Sequence, residues 1–265
     1  MNSGCTEFEF IQGIVEDFSN SKLNRMPLFV AKYLVGINSR VEAIKLLLDT
    51  ESNDVRMVGI YGLGGVGKTT IVKAIYNEIF YHFEGRSFLE NVRENFEKHK
   101  GIIELQENLL CQILGGSNLE VCYKSRGTNM INENICQKKV LIILDDVDKF
   151  DQIEKLLGKC DWFASGSRIL ITTRDEHLLT PPENGLSTNK VKELDKHEAI
   201  ELFIEHAFQR NKPNEDYLEL ANQVICYAKS LPLALVVMGA DLYGRPKLEW
   251  ERRLEKYEKI PHGNI

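Results

Sequence analysis

Hydrophobic spacing divides the chain into three stretches. Before residue 50 two isolated helical patterns occur: Phe10, Ile14 and Phe18 within 8–20, and Val41, Ile44, Leu47 and Leu48 within 39–49, with a connector over 21–34. From Met57 to Leu194 short, unbroken apolar runs alternate with helical patterns. The runs are 57–61, 87–89, 140–144 and 168–173, and a weaker strand is expected at 190–194; Ile71, Val72, Ile75 and Ile79 give the first intervening helix. Unbroken rather than alternating apolarity predicts strands covered on both faces. Strands alternating with helices predict an α/β fold, a parallel sheet with helices on both faces. After Leu194 only helical patterns remain, at 196–209, 214–229, 233–243 and 247–258, punctuated by Pro213, Pro232 and Pro246. Asp195-Lys196-His197-Glu198 reads as a capping box opening this small all-helical unit.

The loop after the first strand changes this outline into a chemical expectation. Gly62-Leu63-Gly64-Gly65-Val66-Gly67-Lys68-Thr69 is a complete Walker A motif, set between a strand and a helix as a phosphate cradle requires. Glycines let backbone N–H groups converge on phosphates, and the helix starting near Lys68 directs its positive end at them. Lys68 is expected on the β- and γ-phosphates, and the Thr69 hydroxyl on Mg²⁺. Val140 to Leu144 followed by Asp145-Asp146 matches Walker B, a buried strand delivering carboxylates at its C-terminal end. Asp145 is expected to hold the metal, and Asp146 to orient or deprotonate an attacking water. Without the loop, the same residues would read equally well as a strand ending in a solvated acidic turn. Ile169 to Thr173 ends in Arg174, whose guanidinium suits phosphate oxygens but which could also be an ordinary surface arginine. These assignments make the fold a P-loop NTPase with nucleotide-binding residues 34–194, preceded by an N-terminal helix and linker at 1–33 and followed by the helical unit at 195–265.

Composition narrows the setting. The 265 residues are 43% hydrophobic and 27% charged, with net charge −6, which suits a folded domain and not a surface built to hold a nucleic-acid backbone. No direct nucleic-acid binding is expected. Cysteines at 5, 111, 122, 136, 160 and 226 show no Cys-x-x-Cys spacing, and no His-Glu-x-x-His occurs, so reduced thiols are expected rather than a zinc site or disulfide framework. The first seven residues carry no leader pattern, Asn2 excludes the myristoylation signal, and the longest apolar stretch, Leu231 to Ala240, is too short to span a bilayer. The expected compartment is the cytoplasm, with the nucleus open.

With these motifs in place, residues 7 to 260 resemble the NB-ARC domain of plant nucleotide-binding, leucine-rich-repeat immune receptors. Leu34-Val35-Gly36-Ile37-Asn38-Ser39-Arg40 is similar to the family's entry segment against adenine, which implies a base contact for Val35. Gly59 through Thr70 is close to the family's Walker A, adding Gly62, Gly64, Gly65, Val66, Gly67 and Thr70 to the cofactor-binding set. Phe88-Leu89-Glu90-Asn91-Val92-Arg93 and Leu144-Asp145-Asp146-Val147-Asp148 resemble the branch that carries an N-terminal TIR domain. Gly166-Ser167-Arg168-Ile169 through Arg174 matches the sensor strand, and Leu231-Pro232-Leu233-Ala234-Leu235 the proline motif, which puts Pro232 near the base. Ser230 departs from the glycine that opens that motif.

The resemblance implies an ADP/ATP-binding switch of innate immunity with slow hydrolysis at most, binding nucleotide and partnering TIR, leucine-rich-repeat or other receptor chains. Residues matching the family's winged helix with its Met-His-Asp motif, its repeats and a TIR domain are not found here. The expectation is therefore a nucleotide core plus first helical subdomain, as a truncated product, a splice form or a partial sequence. The alternative is a non-hydrolysing adaptor or decoy that pairs with full-length receptors. A small-molecule kinase is disfavoured because no arginine-rich lid follows Walker B.

Overall fold

The structure, a computed structural model, describes residues 26–115, 124–158, 162–179, 186–209 and 215–258. The pattern at 8–20, Cys5, Cys122, Cys160 and Pro213 lie outside them. Among the described residues five strands form one sheet, β1 (Arg56–Tyr61), β2 (Gly85–Leu89), β3 (Val140–Val147), β4 (Arg168–Thr173) and β5 (Ser187–Lys190). Their order is β2-β3-β4-β1-β5, and every pairing is parallel.

The unbroken apolar runs have a simple cause. Ile142, Leu144, Ile169 and Ile171 point to one face, beneath α3 (Val92–Glu97), α4 (Gly101–Leu114), α5 (Lys124–Ile135) and α6 (Phe150–Leu157). Leu141, Ile143, Leu170, Val58 and Ile60 point to the other, beneath α1 (Ile37–Leu48) and α2 (Lys68–Ile79). Both faces of β3 and β4 are therefore dry, and each fully buried aliphatic side chain contributes about 1.5–3 kcal/mol. Tyr76 and Phe83 are buried in the second face, and Phe80 packs beside Tyr76, as core rather than contact surface.

The fifth strand corrects the expectation. The weaker strand expected at 190–194 is displaced; the polar segment Ser187–Lys190 is the strand, pairing with Val58 to Tyr61 at the sheet edge. An edge strand needs no apolar run because one side and much of both faces meet solvent. The apolar residues that follow leave the sheet: Val191 N–H donates to Tyr61 O at 2.8 Å and its side chain enters the α1/α2 core, while Leu194 enters the helical core.

That third core belongs to α7 (Lys196–Phe208), α8 (Glu215–Ala228), α9 (Pro232–Leu242) and α10 (Lys247–Glu258). The capping box forms as expected: Asp195 Oδ1 accepts from Glu198 N–H at 2.8 Å, and Glu198 Oε2 from Asp195 N–H at 3.0 Å. Trp250, 1% exposed, packs among Phe203, Phe208 and Tyr217 and donates Nε1–H to Leu242 O at 3.0 Å. Although α10 is rich in charged residues from Glu249 to Lys256, it has an apolar inner edge at Trp250 and Leu254.

Candidate functional site

Because β1, β3 and β4 run parallel and adjacent, their C-terminal ends share one edge, which is where the three motifs meet. The loop leaves β1 at Gly62 and enters α2 at Lys68. Gly67 has φ 99°, a conformation side-chain-bearing residues rarely adopt, and a Cβ on Gly65 would lie 2.9 Å from Leu233 Cβ. The first-turn N–H groups of α2 have no partner within the helix and face this edge. Lys68 is only 7% exposed; its Nζ donates to Gly62 O at 2.8 Å and Leu63 O at 2.9 Å. Burial lowers its pKa, with Arg174 adding to the effect and Asp146 and Asp145 opposing it.

At the end of β3 the ladder with β4 breaks its register between Leu144 and Val147. Asp146 occupies this bulge in a left-handed conformation, φ 56°, which turns the two carboxylates to different tasks. Asp145, 1% exposed, accepts from Thr69 Oγ1–H at 2.9 and 3.0 Å and from Thr172 Oγ1–H at 2.7 Å. Burial raises its pKa, against the two hydroxyl hydrogen bonds. Asp146 N–H donates to Thr172 Oγ1 at 2.8 Å, so one threonine on β4 fixes both acidic residues. The Asp146 carboxylate meets Arg174 Nε at 3.2 Å and Arg93 Nη2 at 2.9 Å.

The helical unit closes the site from the other side. Pro232 opens α9 at its first turn, where a missing N–H costs nothing, and Leu233 N–H donates to Gly65 O at 3.1 Å. Ser230, which accepts from Leu194 N–H at 3.2 Å, has φ 56°. The glycine expected at this place is thus explained by backbone conformation. Ser230→Gly should relieve left-handed strain and, net of the larger entropy of an unfolded glycine, add about 0.5–1 kcal/mol. A thermal melt should show Tm raised by about 2 °C; an unchanged or lower Tm would contradict the strain.

Two cavities meet here. A polar one of about 340 Å³ is lined by Gly64, Lys68, Thr69, Asp146, Thr172 and Arg174. An apolar one of about 260 Å³ lies between the entry segment and the helical unit, lined by Phe29, Tyr33, Val35, Val66, Leu194 and His206. Gly67, Thr70, Pro232 and Val236 line both. His206 meets Tyr33 edge-on at 4.9 Å, and burial, followed by nearby Lys32, lowers its pKa. The wall is pinned by Arg40, whose Nη1 and Nη2 each bond one Glu198 oxygen at 2.9 Å.

Gly64, Gly65, Gly67, Lys68, Thr69, Thr70, Asp145, Asp146, Arg174 and Pro232 therefore meet at one edge, and Val35 and Val66 reach it through the apolar cavity. Gly62 stands behind the loop, its carbonyl holding Lys68. Sequence reasoning missed Arg93, Thr172, His206 and the Arg40–Glu198 pair. The two threonines ending the sensor strand were a visible signal for Thr172; Arg93 stood at the end of the Phe88–Arg93 motif without a role assigned to it, and for His206 there was no signal.

The family model described as the NB-ARC domain matches residues 37–213. The chain is 45% identical over 233 residues to "Disease resistance protein RUN1" of Vitis rotundifolia, covering 88% of this chain and 17% of that protein. It is 39% identical over 271 residues to "TMV resistance protein N" of Nicotiana glutinosa, covering all of this chain and 23% of that protein. The chain thus spans about a fifth of the length of these curated relatives. Among solved structures, Cdc6p from Pyrobaculum aerophilum superposes with TM-score 0.56 at 12% identity, over 88% of this chain and 66% of that one. Drosophila ORC bound to DNA gives 0.57 at 14%, over 92% and 66%. These likenesses show the α/β fold, while the family model and the plant relatives show the kinship: the chain belongs to the NB-ARC family, sharing this domain with plant disease resistance proteins.

Proposed function

We propose that residues 34–194 and 195–265 form the nucleotide-binding and first helical units of an ADP/ATP switch in a plant immune receptor of the TIR-bearing type. The observation that carries this is the junction of the two cavities: a cation-lined polar chamber opens through Gly67 and Thr70 into an apolar one, the division a nucleotide needs between phosphates and base. Loop amides and Lys68 hold the phosphates, Arg174 meets the γ-phosphate when ATP is bound, and Val35 and Pro232 flank the base. The donor set of Thr69 and Asp145 fits Mg²⁺: both are oxygen ligands within 3.0 Å of each other, and the cation would offset the burial cost of Asp145. Asp146 orients or deprotonates the water for slow hydrolysis.

The partners are other domains or chains of such receptors. Among the described residues no helix is long and apolar enough to cross a membrane, and Cys111, Cys136 and Cys226 are free thiols, which suits the reducing cytoplasm or nucleus. Purified protein should release ADP or ATP when denatured, identified by chromatography and mass. Release of no nucleotide, together with no binding of a fluorescent ADP analogue in Mg²⁺, would overturn the reading.

A further inference from the structure

We infer that Arg93 is a specificity-determining residue for the nucleotide triphosphate, acting through Asp146 and not by touching the phosphates; the inference rests on the nucleotide reading above. The Asp146 carboxylate takes one guanidinium on each oxygen, Arg93 from the start of α3 and Arg174 from the end of β4. The two arginines are placed differently. The Arg174 guanidinium lies over the loop, with Nη1 3.3 Å from where a Cβ on Gly64 would stand, and it lines the polar cavity together with Asp146. Arg93 is not among the residues lining that cavity.

Two consequences follow from charge alone. A terminal phosphate beside Gly64 and Lys68 competes with Asp146 for Arg174, because both are anions seeking the same guanidinium. The same phosphate is repelled by the Asp146 carboxylate, which is only 19% exposed and so incompletely screened. Arg93 reduces both penalties. It keeps one Asp146 oxygen paired when Arg174 turns to the phosphate, and its positive charge offsets the carboxylate. A diphosphate does not extend toward Arg174 and gains little from either effect. Arg93 therefore favours ATP over ADP without contacting either, and the left-handed backbone at Asp146 holds the carboxylate where both arginines reach it.

The test is calorimetric titration of the full chain with ADP and with a nonhydrolysable ATP analogue, in Mg²⁺, for the parent, Arg93→Ala, Arg93→Lys, Asp146→Asn and the double variant. Arg93→Ala should weaken the ATP analogue by about three- to tenfold and leave ADP within twofold, the size expected of one partly exposed ion pair and its charge. Unchanged ADP affinity also certifies that the variant is folded. Arg93→Lys should recover most of the loss, and Asp146→Asn should shift preference toward the ATP analogue. In the Asp146→Asn background, Arg93→Ala should have no further effect. A loss that persists there would mean Arg93 acts directly or through the fold, and would overturn the inference, as would equal weakening of ADP and the ATP analogue. A parent that binds neither nucleotide would instead sink the functional reading itself.

Discussion

Lys68→Ala should lower ADP affinity about a hundredfold, the loss of two charge-assisted hydrogen bonds at the lower end of their usual strength. The ammonium is already largely out of water, held by the carbonyls of Gly62 and Leu63 at 2.8 and 2.9 Å. Burial lowers its pKa, which reports how poorly solvation compensates its charge. A phosphate oxygen is therefore a better partner for it than water, and alanine offers no substitute from this depth. Titration with a fluorescent ADP analogue checks the loss; affinity within threefold of the parent would show that the loop amides alone hold the phosphates. Because the side chain packs no hydrophobic core, the melting temperature should move little, separating lost binding from lost folding.

The largest effect on stability is expected far from the site, at Arg168. Its side chain is fully buried, with Nη1 donating to Asp54 O at 2.6 Å and Ser167 O at 2.8 Å, Nη2 to Ser52 O at 2.7 Å and Asp49 O, and Nε to Leu48 O. All of these carbonyls but that of Ser167 belong to the end of α1 and the loop leading to β1, so one guanidinium closes that loop against the start of β4. Asp54 lies 3.7 Å away but is half exposed, which leaves the carbonyls as the main compensation for burying the charge. Arg168→Met fills similar volume and strips the loop of every one of these donors. The expected cost is about 3–5 kcal/mol, measured by urea unfolding: several buried carbonyls lose their donor at about 1–3 kcal/mol each, offset in part because methionine carries no charge to bury. A loss under about 1 kcal/mol would mean that water reaches these carbonyls as readily as the arginine does.

What could be read from the sequence follows from what is local. Strands β1, β3 and β4 were legible because burial on both faces leaves an unbroken apolar run, and the phosphate loop because its residues are contiguous. Strand β5 was misplaced because its polar residues carry no burial signal, while the apolar residues after it line a junction between units. Asp145 and Asp146 were legible as a pair, but not the bulge that divides their roles, since nothing in two adjacent acids marks a left-handed turn. Arg93 and Thr172 act on Asp146 only because β2, β3 and β4 end side by side. In the sequence, Arg93 closes the Phe88–Arg93 motif, but nothing there pairs it with Asp146. Arg168 was read as part of the sensor strand's motif, and its role as a structural staple depends on carbonyls 114 to 120 residues away.

Glu198 serves two masters. Its carboxylate caps the start of α7 by accepting from Asp195 N–H, and the same two oxygens receive both ends of the Arg40 guanidinium from the opposite wall of the apolar cavity. Parting the walls breaks both contacts of the fork, together with the Arg40 Nη2 hydrogen bond to Glu193 O at 3.2 Å, and the helix start loses the neighbour that holds its capping glutamate in place. The junction is therefore expected to act like a detent, with opening of the cavity coupled to fraying of one helix end.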